Sequence, residues 1–166
     1  GVWVGTQQLA SEPTRLEISN CTIAHQAGGR TTGLLIRKER GCRVRVENSI
    51  LYGNPTQIKM EGTGSVDLAV RYCDVQGGWP GEENMDAAPQ FVRPGNWNNA
   101  GTPDEWRDDY WVPGDYRLTA ASPCVDAGDP AFAGGGVDFE GDPRIVYGRV
   151  DMGADEFVQD DFDGDW

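Results

Sequence analysis

Leu16-Glu-Ile-Ser-Asn-Cys-Thr-Ile23, Val44-Arg-Val-Glu-Asn-Ser-Ile-Leu51 and Leu68-Ala-Val-Arg-Tyr-Cys-Asp-Val75 lie over one another, with apolar residues at the first, third and eighth positions of each. The fifth position reads Asn20, Asn48, Tyr72 and the sixth reads Cys21, Ser49, Cys73, at offsets of 28 and then 24 residues. Alternation of period two marks each copy as a half-buried strand. Self-similarity at a period in the twenties is the mark of a solenoid, in which no repeat buries its own apolar face alone. No helix-forming pattern separates the copies, so the chain reads as all-β, and a β-helix fits better than a leucine-rich or ankyrin array. Leu16, Ile18, Ile23, Val44, Val46, Leu51, Leu68, Val70 and Val75 are then the residues that face the core.

Outward from these copies the same pattern extends. Val2 and Val4 around Trp3 read as part of an earlier rung, while Leu34–Ile36 and Ile58–Met60 supply further short strands. Gly28-Gly29 and Gly53-Asn54-Pro55 are turns. Asn at the fifth position suits a tight bend, because it tolerates left-handed backbone angles and its amide can bond the copy above. Asn20 over Asn48 starts such a ladder, Tyr72 ends it, and the sequon Asn20-Cys-Thr22 is discounted because a ladder Asn is buried.

Stacking the copies also aligns their outward positions. The columns are Arg15–Arg43–Asp67, Glu17–Arg45–Ala69 and Ser19–Glu47–Arg71. Arg43, Arg45 and Arg71 can be read as a strip that grips a polyanion, or as a salt-bridged flank; the interleaved acids favour the flank. The cysteines at 21, 42, 73 and 124 contain no CxxC pair, which argues against a zinc site. Cys21 and Cys73 are two rungs apart, about 9.6 Å at ~4.8 Å per rung. A disulfide reaches only ~7 Å between Cα atoms, so buried thiols in a column are expected. His25, the only histidine, has no spaced partner and reads as a surface or ladder residue rather than a ligand.

Asn20-Cys-Thr-Ile23 and Asn48-Ser-Ile-Leu-Tyr-Gly-Asn54 resemble the turns of right-handed parallel β-helix proteins of the pectin-lyase-like superfamily. Five further segments resemble the C-terminal end of the bacterial surface group called choice-of-anchor Q. They are Tyr72-Cys-Asp-Val-Gln-Gly-Gly-Trp-Pro-Gly81, Ala88-Pro-Gln-Phe-Val92, Gly114-Asp-Tyr-Arg-Leu118, Ser122-Pro-Cys-Val-Asp-Ala-Gly-Asp129 and Val150-Asp-Met-Gly-Ala-Asp-Glu-Phe157. The resemblance runs from about Leu16 to Phe157. It implies the last rungs of a right-handed single-stranded parallel β-helix, closed by an irregular C-terminal cap. Residues 1–158 form that unit and 159–166 an acidic tail. The superfamily's enzymes use calcium-bridged carboxylates and a basic Arg or Lys that removes a sugar proton. No grouping in this chain matches that motif residue by residue.

The 166 residues, with Gly 23 and Pro 10, are turn-rich. The longest apolar run, Leu34-Leu35-Ile36, is far short of the ~18 residues of a membrane-spanning helix. The chain starts at Gly1 in mid-pattern, as a piece continuing from upstream rungs would. Charge is divided: residues 1–75 hold 9 Lys/Arg and 7 Asp/Glu, whereas residues 76–166 hold 5 and 20, giving the overall −13. An acidic half repels nucleic acid and anionic lipid.

Two features of that half bear on ligands. Phe91 and Tyr116 read as plugs of the cap, whereas Trp97, Trp106 and Trp111 sit in a polar insertion where indoles either pack inward or stack on the apolar faces of sugar rings. Asp126, Asp129, Asp138, Glu140, Asp142, Asp151, Asp155 and Glu156 form either turns or an oxygen-rich calcium site, the turn reading leading because the spacing matches no known loop. Pro143–Val146 and Val150–Phe157 read as the last short strands. In the tail, Asp161, Asp163 and Asp165 match positions 1, 3 and 5 of a calcium loop of the dockerin-like kind, which breaks off at Trp166.

No catalytic constellation emerges. The expectation is a non-catalytic scaffold, adhesion or carbohydrate-contacting segment of a secreted or cell-surface bacterial β-helix protein, with a polysaccharide or cell-surface glycan as partner. The competing reading is the C-terminal part of a polysaccharide lyase or glycoside hydrolase whose catalytic rungs lie upstream.

Overall fold

The computed structural model of the chain describes residues 2–4, 14–25, 32–38, 41–102, 104–105 and 107–158. Nine strands of the N-terminal half are β1 (Val2–Val4), β2 (Thr14–Ser19), β3 (Thr22–Ala24), β4 (Thr32–Arg37), β5 (Cys42–Glu47), β6 (Ile50–Tyr52), β7 (Thr56–Glu61), β8 (Val66–Arg71) and β9 (Asp74–Val75). They form three parallel three-stranded sheets in the orders β1-β4-β7, β2-β5-β8 and β3-β6-β9. Each sheet takes every third strand, so the chain visits all three before returning to the first. The protein is therefore all-β, with parallel pairing throughout this half.

The register follows the repeat in the sequence. Leu16 pairs with Val44 and Val44 with Leu68, while Ile18, Val46 and Val70 form a second row and Ile23, Leu51 and Val75 a third. These nine side chains share one apolar cluster with Leu34, Ile36 and Ile58. A one-residue slip would turn every one of them to the opposite face, so the apolar rows specify the register. A strand is present at the N-terminus as read, with Val2 pairing with Leu34 and Val4 with Ile36.

The fifth position is the corner. Asn20, Asn48 and Tyr72 have φ of 50°, 47° and 51°, left-handed values that Asn accepts more readily than most residues. At the sixth position a small hydrogen-bonding atom reaches the carbonyl two residues back: Cys21 Sγ to Ser19 at 3.1 Å, Ser49 Oγ to Glu47 at 2.8 Å, Cys73 Sγ to Arg71 at 3.1 Å. This explains why Cys and Ser interchange there. All four cysteines are free thiols.

A second left-handed column, at His25, Gly53 and Gly77, was not visible in the strand pattern. His25 leans over Gly53 so closely that a Cβ there would lie 2.6 Å from its ring. The ring also packs on Tyr116 and Phe91, with centroids 5.7 and 6.5 Å away. His25 is therefore a ladder residue roofed by the cap, not a surface residue.

Both faces of the β3-β6-β9 sheet are covered. Leu51 enters the first cluster, whereas its neighbour Ile50 joins Phe91, Leu118, Cys124 and Met152 in a second. The C-terminal half supplies that second core with little regular structure. Short antiparallel pairs link β10 (Phe91–Arg93) to β13 (Asp115–Leu118), and β11 (Asn96–Asn98) to β12 (Tyr110–Val112). The expectation of strands at Pro143–Val146 and Val150–Phe157 is corrected: only isolated bridges occur, Val137 with Pro143 and Val146 with Arg149. Side chains hold these segments instead, because their Gly, Pro and Asp residues favour turns over ladders.

The outward columns align as read from the sequence, with one change of partner. Glu47 pairs with Arg71, and Arg43 Nε lies 2.8 Å from Asp67. Arg45 bonds Asp67 diagonally at 2.9 Å rather than the Glu17 directly opposite. A single carboxylate thus pairs with two arginines, and the flank is ion-paired rather than a free cationic strip.

Substitutions at two places test this arrangement. Asn48→Ala should lower stability by about 2–4 kcal/mol, from lost buried hydrogen bonds and left-handed strain. Asn48→Gly should recover only the strain part; denaturant melts that place both within error of wild type would refute the role given to this corner. Glu47→Lys should be partly rescued by Arg71→Glu, with a coupling of about 1–2 kcal/mol in the double-mutant cycle. Additive effects would show the pair to be inert.

Candidate functional site

Two of the three tryptophans singled out above stand opposite each other. Trp97 on β11 and Trp111 on β12 are register partners, their rings edge-to-face with centroids 5.8 Å apart at 71°. Trp97 is 51% exposed, whereas Trp111 is half-buried. Trp106 lies outside the described residues.

Glycine lets the hairpin sit close against β13. A Cβ on Gly95 would come within 2.3 Å of Trp111 and 2.9 Å of the Tyr116 hydroxyl, and one on Gly114 within 2.3 Å of the Gly95 amide. Tyr116 is thereby wedged between the tryptophan pair and the second core, where it meets Phe91 edge-on at 5.2 Å. The plug reading of Phe91 and Tyr116 is what the structure contains.

An open groove of about 800 Å³ runs along β13, lined by Arg93, Asp115, Tyr116, Arg117, Phe139 and Glu140 among others. That volume lies within the ~300–1,000 Å³ of ligand sites. Arg117 is its fixed point. The guanidinium chelates Asp115 through Nε at 3.0 Å and Nη2 at 2.6 Å, and reaches Glu140 at 3.8 Å. The hydrogen-bonded arginine holds the Asp115 carboxyl below the ordinary range. Arg93 faces Asp115 across the β10–β13 pair, and Phe139, 63% exposed, forms an apolar wall. The repeat pattern carried no sign of this groove, whose residues come from segments far apart in sequence.

The acidic cluster is occupied with the backbone. Asp138 Oδ1 accepts the amides of Glu140, Gly141 and Asp142 at 2.8–2.9 Å, and its Oδ2 accepts the Glu156 amide. Asp151 accepts Asp126 and Phe157, Asp155 accepts Leu118, and Glu156 accepts Asp151. Among the described residues no three His, Cys, Asp or Glu side chains come together as a metal site. Asp161, Asp163 and Asp165 lie outside the described residues. Also among the described residues, no helix is long and apolar enough to cross a membrane.

Compared with known protein families, curated proteins and solved structures, the chain matches none.

Burial leaves a pH signature. It pushes Glu156 up to about 8, against the lowering effect of the Asp151 amide and Arg144, and Asp74 up to about 6. Both carboxyls keep their protons to higher pH folded than unfolded. The native state therefore binds more protons in the window, and stability falls as pH rises. For Glu156 the loss runs from about pH 4.5, the ordinary value, to about 8. Asp67 and Asp115, held low by arginines, act in the opposite sense in more acidic solution. Melting temperature should decline between pH 5 and 8, and Glu156→Gln should flatten that slope. Equal slopes in the two proteins would contradict the assignment.

Proposed function

We propose that the three parallel sheets are closing turns of a right-handed single-stranded parallel β-helix. The pectin-lyase-like architecture and the end segments resembling choice-of-anchor Q surface proteins go with that reading. It is supported by strands that recur in register at offsets of 32, 28 or 24 residues and always return to the same sheet. On this scaffold the segment serves outside the cell as a non-catalytic, carbohydrate-contacting face.

The observation that carries the reading is the exposed Trp97, set edge-on against Trp111 beside a groove walled by Tyr116 and Phe139. Indole and phenyl faces at a wet surface match the apolar face and polar rim of a pyranose. The ion-paired arginine flank argues against the other surface as a polyanion grip.

On a glycan array, the chain should bind at least one oligosaccharide class. Trp97→Ala should weaken that binding about tenfold or more, in line with ~1.5 kcal/mol for an aromatic contact, while lowering the melting temperature only by the small amount that losing the contact with Trp111 brings. Absence of binding across the array would refute the carbohydrate reading. Release of unsaturated or reducing ends by the chain itself would refute the non-catalytic one.

A further inference from the structure

We infer that the groove along β13 selects an uncharged saccharide and rejects uronic-acid polymers; this rests on the carbohydrate-contacting reading above. The reason is the way its charges are arranged. Four charged side chains line it, Arg93, Arg117, Asp115 and Glu140, so two cations face two carboxylates and their formal charges cancel.

The cation best placed to bind a sugar carboxylate is already engaged. Arg117 is largely buried, at 11% side-chain exposure, and its planar fork is filled by Asp115 through two hydrogen bonds, with Glu140 beside its remaining nitrogen. An incoming uronate would have to displace Asp115 from a bidentate pair, which is among the stronger side-chain contacts. It would then lie against two carboxylates. Arg93 is exposed and lies opposite Asp115 in the strand pairing, where its charge helps hold that carboxyl low. The surrounding half of the chain adds a net charge of −15, which disfavours approach of any polyanion.

What remains available suits a neutral ring. Phe139 and the Tyr116 ring provide apolar faces, and the outer lone pairs of Asp115 are acceptors for sugar hydroxyls. Hydroxyls bonded to a carboxylate that is fixed by arginine gain a charge-assisted hydrogen bond without adding net charge. Trp111, against Gly95 and the Tyr116 hydroxyl, joins this surface to the exposed Trp97, so the contact extends over more than one ring.

Calorimetry on the whole chain would use neutral hexasaccharides of β-1,4-linked glucose, xylose and mannose, with hexagalacturonate and hexamannuronate for comparison. At least one neutral probe should bind tenfold or more tightly than either uronate, with an affinity that changes less than twofold between 20 and 500 mM salt. Phe139→Ala, at an exposed position, should cost tenfold for the neutral probe without lowering the melting temperature. Glu140→Gln should raise uronate affinity and leave the neutral probe within twofold. Uronates binding as well as or better than every neutral probe would overturn the inference while leaving the carbohydrate reading intact. So would neutral binding that depends on Trp97 but is indifferent to Phe139→Ala. No binding by any of the five probes would overturn both.

Discussion

The side chain of Asn48 holds together three parts of the chain that are distant in sequence. Its amide donates to Asn20 Oδ1 at 3.2 Å, one layer away, and to the Asp129 carbonyl at 2.9 Å, while its own oxygen accepts the Asp129 amide at 2.9 Å. Its backbone carbonyl accepts the amide of Gly153. The residue is fully buried and left-handed, a combination that leaves its polar groups dependent on these partners. The stacked strands and the C-terminal segment meet at this point. Gly128 approaches so near that a Cβ would lie 3.1 Å from the Asn48 side chain.

Around that junction the C-terminal half is fastened by side chains where the N-terminal half uses ladders. Asn20 Nδ2 donates to the carbonyl of Ala133, and Thr22 Oγ1 accepts the amide of Ala154. Arg144 threads inward to the carbonyls of Gly153 and Ala154, and on to that of Asn20, with Glu156 3.8 Å away. Removing one partner from such a buried network leaves the others unsatisfied. This is why so acidic a segment folds compactly: its carboxylates accept amides that regular strands would have paired. Arg117 is likewise held in place, between the carboxylates of Asp115 and Glu140, where it shapes a groove rather than a core.

Residues 81–87 close the β8 and β9 edges of two of the sheets in a similar way. Val75 and Tyr72 donate their amides to Met85 and Glu82, and Asn84 bonds both Cys73 and Val70. Sheet edges left open are sites of further strand pairing. Here the loop that follows β9 satisfies them with a mixture of main-chain and amide-side-chain bonds.

What could be read from the sequence was whatever repeats locally. Apolar alternation at Leu16, Val44 and Leu68 determined strand, face and register together, because a period-two side-chain pattern admits only one buried face. The charged columns and the Asn corner followed from that register. The partner of Arg45 did not, since a long guanidinium reaches a diagonal neighbour as easily as an opposite one. Nor did the strands foreseen after Pro143, because a β-like composition does not reveal whether a ladder partner is at hand. Trp97 and Trp111 could be singled out by residue type, but their facing each other depends on the hairpin, and the groove depends on Glu140 reaching Arg117 from another segment. Ile50 beside Leu51 held the one local hint of a second core, two adjacent apolar residues pointing to opposite faces. Only the tertiary structure decided what covers that second face, because docking of the C-terminal half rests on scattered apolar contacts and single hydrogen bonds between residues up to 132 positions apart, such as Thr22 and Ala154. Such contacts have no period, and so leave no pattern in the sequence.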